Sequence, residues 1–145
     1  MSGWLFDTDV LSALAPGRPP LPAQAVGWFE ERNEALFFSA VTVMEIHSGI
    51  AKLRRLAGIR RAEAMHAWLN AVVERYGDRV LSFDAASAEV AGGLSDAAMA
   101  VGRHPGFADA AIAAIATLHG LVVLTANNRH FAPLGVKVFN PFAVA

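Results

Sequence analysis

The chain has 145 residues, 12 basic against 13 acidic, for a formal charge of −1, which fits one domain with a real core. That balance creates no bulk attraction for a polyanion, although a near-neutral chain can still carry a local basic face. The absence of cysteine excludes disulfides, thiolate nucleophiles and thiolate zinc sites, and fits a reducing cytoplasm.

Trp4-Leu5-Phe6 is a short apolar run ended by Asp7, a candidate first strand. Thr8 or Asp9 can cap the short helix after it. The start of the chain, MSGWLFDTD, has no basic segment ahead of an apolar one, so no signal peptide is expected. Ala15 to Pro22 is too proline-rich for helix or central strand. Gln24 to Arg32 reads as helix and Ala35 to Phe38 as a second strand.

Ser39 can cap a helix over Ala40 to Leu56, where Val43, Met44, Ile46, Ile50 and Leu53 make an apolar face. Thr42, Glu45, Gly49 and Lys52 form a thin polar or small stripe along it. Gly58 breaks that helix, and Arg60 to Tyr76 forms another, stopped by Gly77. Val80 to Phe83 reads as a third strand, with Asp84 or Ser87 starting a helix that reaches Val101. A GRHPGF loop leads into a helix from Ala108 to His119, stopped by Gly120. Leu121 to Leu124 and Val136 to Phe139 complete the strands. The longest apolar stretch, Ala110 to Leu124, is interrupted by Thr117, His119 and Gly120 and is too short for a membrane span. Short apolar strands alternating with helices predict a parallel α/β sheet covered on both faces. With no internal repeat or linker, residues 1–145 read as a single domain.

In such sheets ligands bind beyond the carboxyl ends of the strands. Asp7 falls there, as do Thr125 and Asn127. Asp7, Glu45 and Asp109 each lie where an apolar run meets a helix or within a helix's early turns. Singly, Asp7 and Asp109 could be capping or first-turn residues, and Glu45 a solvated helix charge. Together they predict an acidic cluster, which repels itself unless a hard cation holds it. The histidines His47, His66, His104, His119 and His130 show no zinc spacing and read as surface or cap residues.

These segments resemble PIN-domain ribonucleases, and among them the VapC-type toxins of bacterial toxin–antitoxin pairs. WLFDTDVLSAL resembles the opening strand and D-T-N motif, FFSAVTVMEIHSGIAKL the S-A-V-T-x-x-E-I segment, and FADAAIAAIATLHGLVVLTANNRHF the third acidic helix, strand and T-x-N-x-x-x-F stretch. VFNPF resembles the common ending. The resemblance implies a three-layer α/β/α fold around a short, mainly parallel five-stranded sheet. It implies an endoribonuclease using Mg²⁺ or Mn²⁺, with Asp7, Glu45 and Asp109 as ligands and a metal-activated water. Asn127 then stands where many members place a fourth acid, and Asp9 where many have Asn. Thr8, Asp9, Ser39 and Thr125 would support the ligands or the scissile phosphate. The implied setting is cytoplasmic, with no membrane: a homodimer, an RNA substrate, and a small VapB-like antitoxin that blocks the acidic pocket with a basic side chain.

Lys52, Arg54, Arg55, Arg60 and Arg61 could meet RNA phosphates or acidic antitoxin residues, or form a solvated face. Two rival readings share the residues. One is a PIN fold weakened by the neutral Asn127 that acts only as a binding module. The other is an aspartate-nucleophile phosphatase built on Asp7-Thr8-Asp9, which needs a catalytic lysine; the chain has Lys52 and Lys137.

Overall fold

The computed structural model describes residues 2–143. β1 (Trp4–Phe6) leads directly into α1 (Thr8–Ser12). The proline-rich segment then delivers α2 (Ala23–Glu31), a 3-10 turn and β2 (Leu36–Ser39). α3 (Ala40–Leu56) and α4 (Ile59–Tyr76) pack against each other. β3 (Val80–Leu81), α5 (Ala85–Ala100), α6 (Phe107–His119) and β4 (Val122–Leu124) follow. The chain closes with α7 (Asn128–Phe131) and β5 (Val138–Phe139).

The strands pair in the order β3-β2-β1-β4-β5, and every pair is parallel. From β1 the chain builds outward through β2 and β3, then returns to β1's other side for β4 and β5. The order therefore reverses between β1 and β4, and the crevice beyond their carboxyl ends is where an open parallel sheet accepts a ligand.

Alternation along the strands divides the core into two layers. Leu5, Phe37 and Val123 face one side, with α6 residues such as Ile112, Ile115 and Ala116. Phe6, Phe38 and Leu124 face the other, where Val10, Ile46, Ile50 and Leu69 from α1, α3 and α4 cover them. This is the expected three-layer arrangement. Arg32 stacks over Trp28, 4.5 Å from its ring centroid, and its guanidinium also lies over Trp4.

Local chemistry sets the helix ends that matter for the site. Ser39 Oγ accepts the Thr42 N–H at 3.2 Å and caps α3. Asp84 Oδ1 accepts the Ser87 N–H at 2.9 Å and caps α5. α6 stops at Gly120, whose φ of 66° is left-handed and open to glycine at no steric cost. The Leu121 N–H then bonds back to the Ala116 carbonyl at 2.9 Å, which turns the chain into β4.

Three expectations change in detail. The N-cap position of α1 is Asp7, not Thr8 or Asp9, because Asp7 remains extended while its N–H pairs with the Leu124 carbonyl at 2.8 Å. The edge strands β3 and β5 are two residues each, shorter than their apolar runs, since each has a partner on one side only. Asn128–Phe131, to which the sequence pattern assigns no element, is a single helical turn. Among the described residues, no helix is long and apolar enough to cross a membrane.

Candidate active site

β1 ends at the switch between the two halves of the sheet, so the next residue, Asp7, is placed at the crevice. Its carbonyl accepts the Val10 and Leu11 N–H groups and starts α1. Its carboxylate makes no cap hydrogen bond. Instead Oδ2 accepts the Thr125 hydroxyl at 2.9 Å, from the residue just after β4. Thr125 Oγ1 in turn accepts the Asn127 N–H at 2.9 Å. This relay crosses the switch point and holds a carboxylate that is only 7% exposed.

Glu45 arrives from the second turn of α3. Thr8 Oγ1 donates to Glu45 Oε1 at 2.5 Å and pairs with Thr42 Oγ1 at 3.0 Å. Because the Thr8 proton is spent on the carboxylate, the fully buried Thr42 hydroxyl is the donor in the second bond. The two threonines thus tie α1 to α3 and aim Glu45 across the crevice. Asp109 comes from the first turn of α6, half-buried. His130 Nδ1 on α7 lies 3.7 Å from Asp109 Oδ2.

One cavity of about 380 Å³ is lined by Asp7, Thr8, Asp9, Glu45, Asp109 and His130, with Gly106, Phe107 and Ala108 completing it. Burial pushes Asp7 up from 3.8 to about 6. The charges of Asp9 and Asp109 add to that rise, and the Thr125 hydrogen bond opposes it. Asp109 is raised as well, first by burial and then by Asp9, while the His130 charge works the other way. The shifts have the signature of carboxylates gathered in a confined space.

The donors fit a hard divalent cation. They are carboxylate and hydroxyl oxygens, the set that Mg²⁺ takes while keeping several of its waters. A cation would also relieve the repulsion that raises Asp7 and Asp109. Among the described residues no three acidic or histidine side chains already form a closed chelate; they form the walls of a shared cavity.

The predicted residues divide clearly by placement. Asp7, Thr8, Asp9, Glu45 and Asp109 meet in one cavity. Thr125 stands behind Asp7. Ser39 is fully buried and its hydroxyl is used in the α3 cap, so it acts on Glu45 through the helix rather than by contact. Asn127 is not part of the cavity wall and bonds through its main chain, its N–H to Thr125 Oγ1 and its carbonyl to the His130 N–H. Lys52, Arg54, Arg55, Arg60 and Arg61 are all exposed. Of these, Arg61 lines a second cavity of about 430 Å³, which it shares with Arg18, Asp9 and Glu45. Gly49 borders that space, and a Cβ there would meet no atom within 4 Å, in keeping with room beside Glu45. Neither Lys52 nor Lys137 lines the acidic cavity, which leaves a phosphatase-type lysine without a candidate. Sequence reasoning passed over His130. Its place depends on α7, and nothing in histidine spacing signals a contact with Asp109.

A parallel sheet that gathers acids from the ends of β1, α3 and α6 at its switch point is the architecture of a PIN domain. The PIN domain family model matches residues 4–136, and the chain belongs to that family. VapC ribonuclease Y4jK from Sinorhizobium fredii is 32% identical over 142 residues, spanning 97% of this chain and 99% of the relative. Toxin FitB from Neisseria gonorrhoeae is 33% identical over 140 residues, spanning 95% and 97%. The crystal structure of FitAcB from Neisseria gonorrhoeae matches with a TM-score of 0.83 at 31% identity, covering 97% of this chain and 99% of that one. The family and fold that the motifs implied are therefore the family and fold observed, and the VapC-type toxins are among the chain's relatives.

Proposed function

We propose that this protein is a metal-dependent endoribonuclease and the toxin of a toxin–antitoxin pair. The observation that carries the reading is the convergence of Asp7, Glu45 and Asp109, from three separate elements, on one cavity at the sheet's switch point. The similarity to VapC ribonuclease Y4jK and Toxin FitB supports it.

In this reading Asp7, Glu45 and Asp109 hold Mg²⁺ or Mn²⁺, with Asp9 at the rim. When bound, the ion supplies Lewis-acid stabilisation of phosphate charge and lowers the pKa of the attacking water. The chain's own residues do the rest. Thr125 fixes Asp7 and favours its ionised form. Thr8 and Thr42 fix Glu45. Asn127 contributes its N–H to the Thr125 hydroxyl, and Ser39 secures the start of α3. The acidic cavity also invites a basic side chain, which is how a small VapB-like antitoxin would block it. Exposed apolar residues such as Leu56, Ile59 and Val101 offer surface for a homodimer or for that antitoxin. The setting we infer is the cytoplasm.

The test is cleavage of total RNA by the purified, antitoxin-free protein in Mg²⁺, Mn²⁺ and EDTA. The expected result is metal-dependent cleavage that falls about 100-fold or more in Asp7→Asn, the scale of loss when a charge-stabilising group is removed. Equal cleavage by the variant would remove the mechanism. A protein that binds its antitoxin yet cuts no RNA in either metal would instead be the weakened binding module.

A further inference from the structure

The acidic cavity does not stand alone. On one side it shares Thr8, Asp9 and Glu45 with the cavity that holds Arg18 and Arg61. On the other it shares Gly106, Asp109 and His130 with a cavity of about 300 Å³ that holds Arg103, His104 and Arg129. Shared walls make the three a single cleft, with arginines at both ends and carboxylates in the middle. These four arginines come from four places far apart in the chain, and all are exposed. None makes an ion pair with a protein carboxylate among the described residues.

Phe107 follows Gly106, which the acidic cavity shares with the second arginine cavity. It lines the acidic cavity and is 64% exposed. Phe83 meets it edge-on, with centroids 5.6 Å apart and planes at 83°. That contact fixes the ring from one side. An exposed aromatic ring beside a charged cleft, braced by Phe83 on one side, offers a face on which an unpaired base can stack.

We propose that this cleft is a track for single-stranded RNA. Arg18 and Arg61 take a backbone phosphate on one side of the reacting position. Arg103 and Arg129 take one on the other, and Phe107 stacks the base between Arg103 and the acids. The proposal rests on the ribonuclease reading above and gives its substrate a path. Charge order selects the occupant: a polyanion with regularly repeated phosphates satisfies both arginine ends at once, and a stacking platform suits an unpaired base. An acidic peptide would use the arginines and leave Phe107 idle. The dense run Lys52, Arg54 and Arg55 lies outside this cleft wall.

The test measures binding apart from cleavage. A dye-labelled single-stranded RNA of about a dozen nucleotides is titrated with the full-length Asp7→Asn protein in EDTA, over a series of NaCl concentrations. Arg103→Ala and Arg129→Ala should each weaken binding and flatten the salt dependence by about 0.7 in log–log slope, the share of one single-strand phosphate contact. Phe107→Ala should weaken binding roughly tenfold with the slope unchanged, and Phe107→Tyr should restore it. Lys52→Ala and Arg55→Ala should leave both quantities as they were. In the wild-type background, kcat/KM should fall in parallel, mainly through KM.

Failure of the track and failure of the enzyme look different. Normal RNA cleavage with affinity and slope indifferent to Arg103, Arg129 and Phe107 overturns the track and leaves the nuclease. RNA binding that follows these residues, without cleavage in any metal, keeps the track and overturns the nuclease. No RNA binding at 50 mM NaCl overturns the track. So does an affinity for a poly-glutamate peptide that depends on Arg103 and Arg129 when RNA affinity does not, which would assign the surface to an acidic protein partner.

Discussion

Asp7 is the residue at which site chemistry and fold stability conflict. Its proton is held more tightly in the native chain than in the unfolded one, with a pKa of about 6 against 3.8. Between those values the native state carries the extra proton, so stability falls as pH rises through that window. The ionised carboxylate costs at most roughly 3 kcal/mol at neutral pH. Asp7→Asn should therefore raise the denaturation midpoint at pH 7 while abolishing activity, and should flatten the stability profile between pH 4 and 6. Chemical denaturation across that range checks both. Thr125→Val acts in the opposite sense on the same group. Removing a hydrogen bond that favours the carboxylate pushes its pKa further up, so the acid limb of the pH–activity profile should move to higher pH. A limb that stays in place would separate Asp7 from that ionisation. The acids themselves could be read from the chain because Asp7 follows a strand and Glu45 and Asp109 lie in the early turns of helices. Thr8 and Thr125 were named as supports through the resemblance, but which acid each one holds could not be read, nor could the part of Thr42. Thr42 lies 34 residues from Thr8 and Thr125 lies 118 from Asp7, and only folding makes them neighbours.

The elements that bring these residues together are built in different ways. α3 is positioned by its start: Ser39 caps it, and two turns later it delivers Glu45. Ser39→Ala should cost about 0.5–2 kcal/mol, seen as a lower denaturation midpoint, with a smaller loss of cleavage than Thr125→Val causes. α6 is positioned by its width. Ala110 through Ala116 are all buried, against the sheet, α5 and α3, and the five alanines among them let the helix sit close enough to bring Asp109 into the cavity. Ala113→Leu should cost about 1–3 kcal/mol through overpacking and, on the proposed function, should impair metal-dependent activity as well, since it moves the helix that carries Asp109. Helix α3 was legible to its ends, because Ser39 and Gly58 are strong local signals. α7 was not: four residues carry too little periodicity to register, and His130 was lost with it. The basic surface was legible only in part for a related reason. Charge density along the chain points to Lys52–Arg61, of which Arg61 lines the cleft, whereas Arg18, Arg103 and Arg129 are scattered through the sequence and are brought to it by the fold.

For the whole molecule, a parallel sheet with two covered faces was implied by apolar runs between helices. Strand order was not, since no local pattern says that β4 returns to lie beside β1. That return makes the site depend on both halves at once, so a ligand bound there should stabilise the entire chain. Mn²⁺ at about 100 times its dissociation constant should add about 2.7 kcal/mol, read as a higher melting temperature. Asp7→Asn and Asp109→Asn should show little of it, and a gain of equal size in both would locate the ion elsewhere. The same return has a consequence during synthesis. A chain emerging from the ribosome offers Asp7 and Glu45 early, but Asp109 follows late, and Thr125, the clamp on Asp7, comes later still. A nascent chain that has reached only α5 holds two of the three carboxylates and no clamp. Placing the clamp on Asp7 after β4 leaves the acidic cavity unfinished until nearly the whole chain has been made.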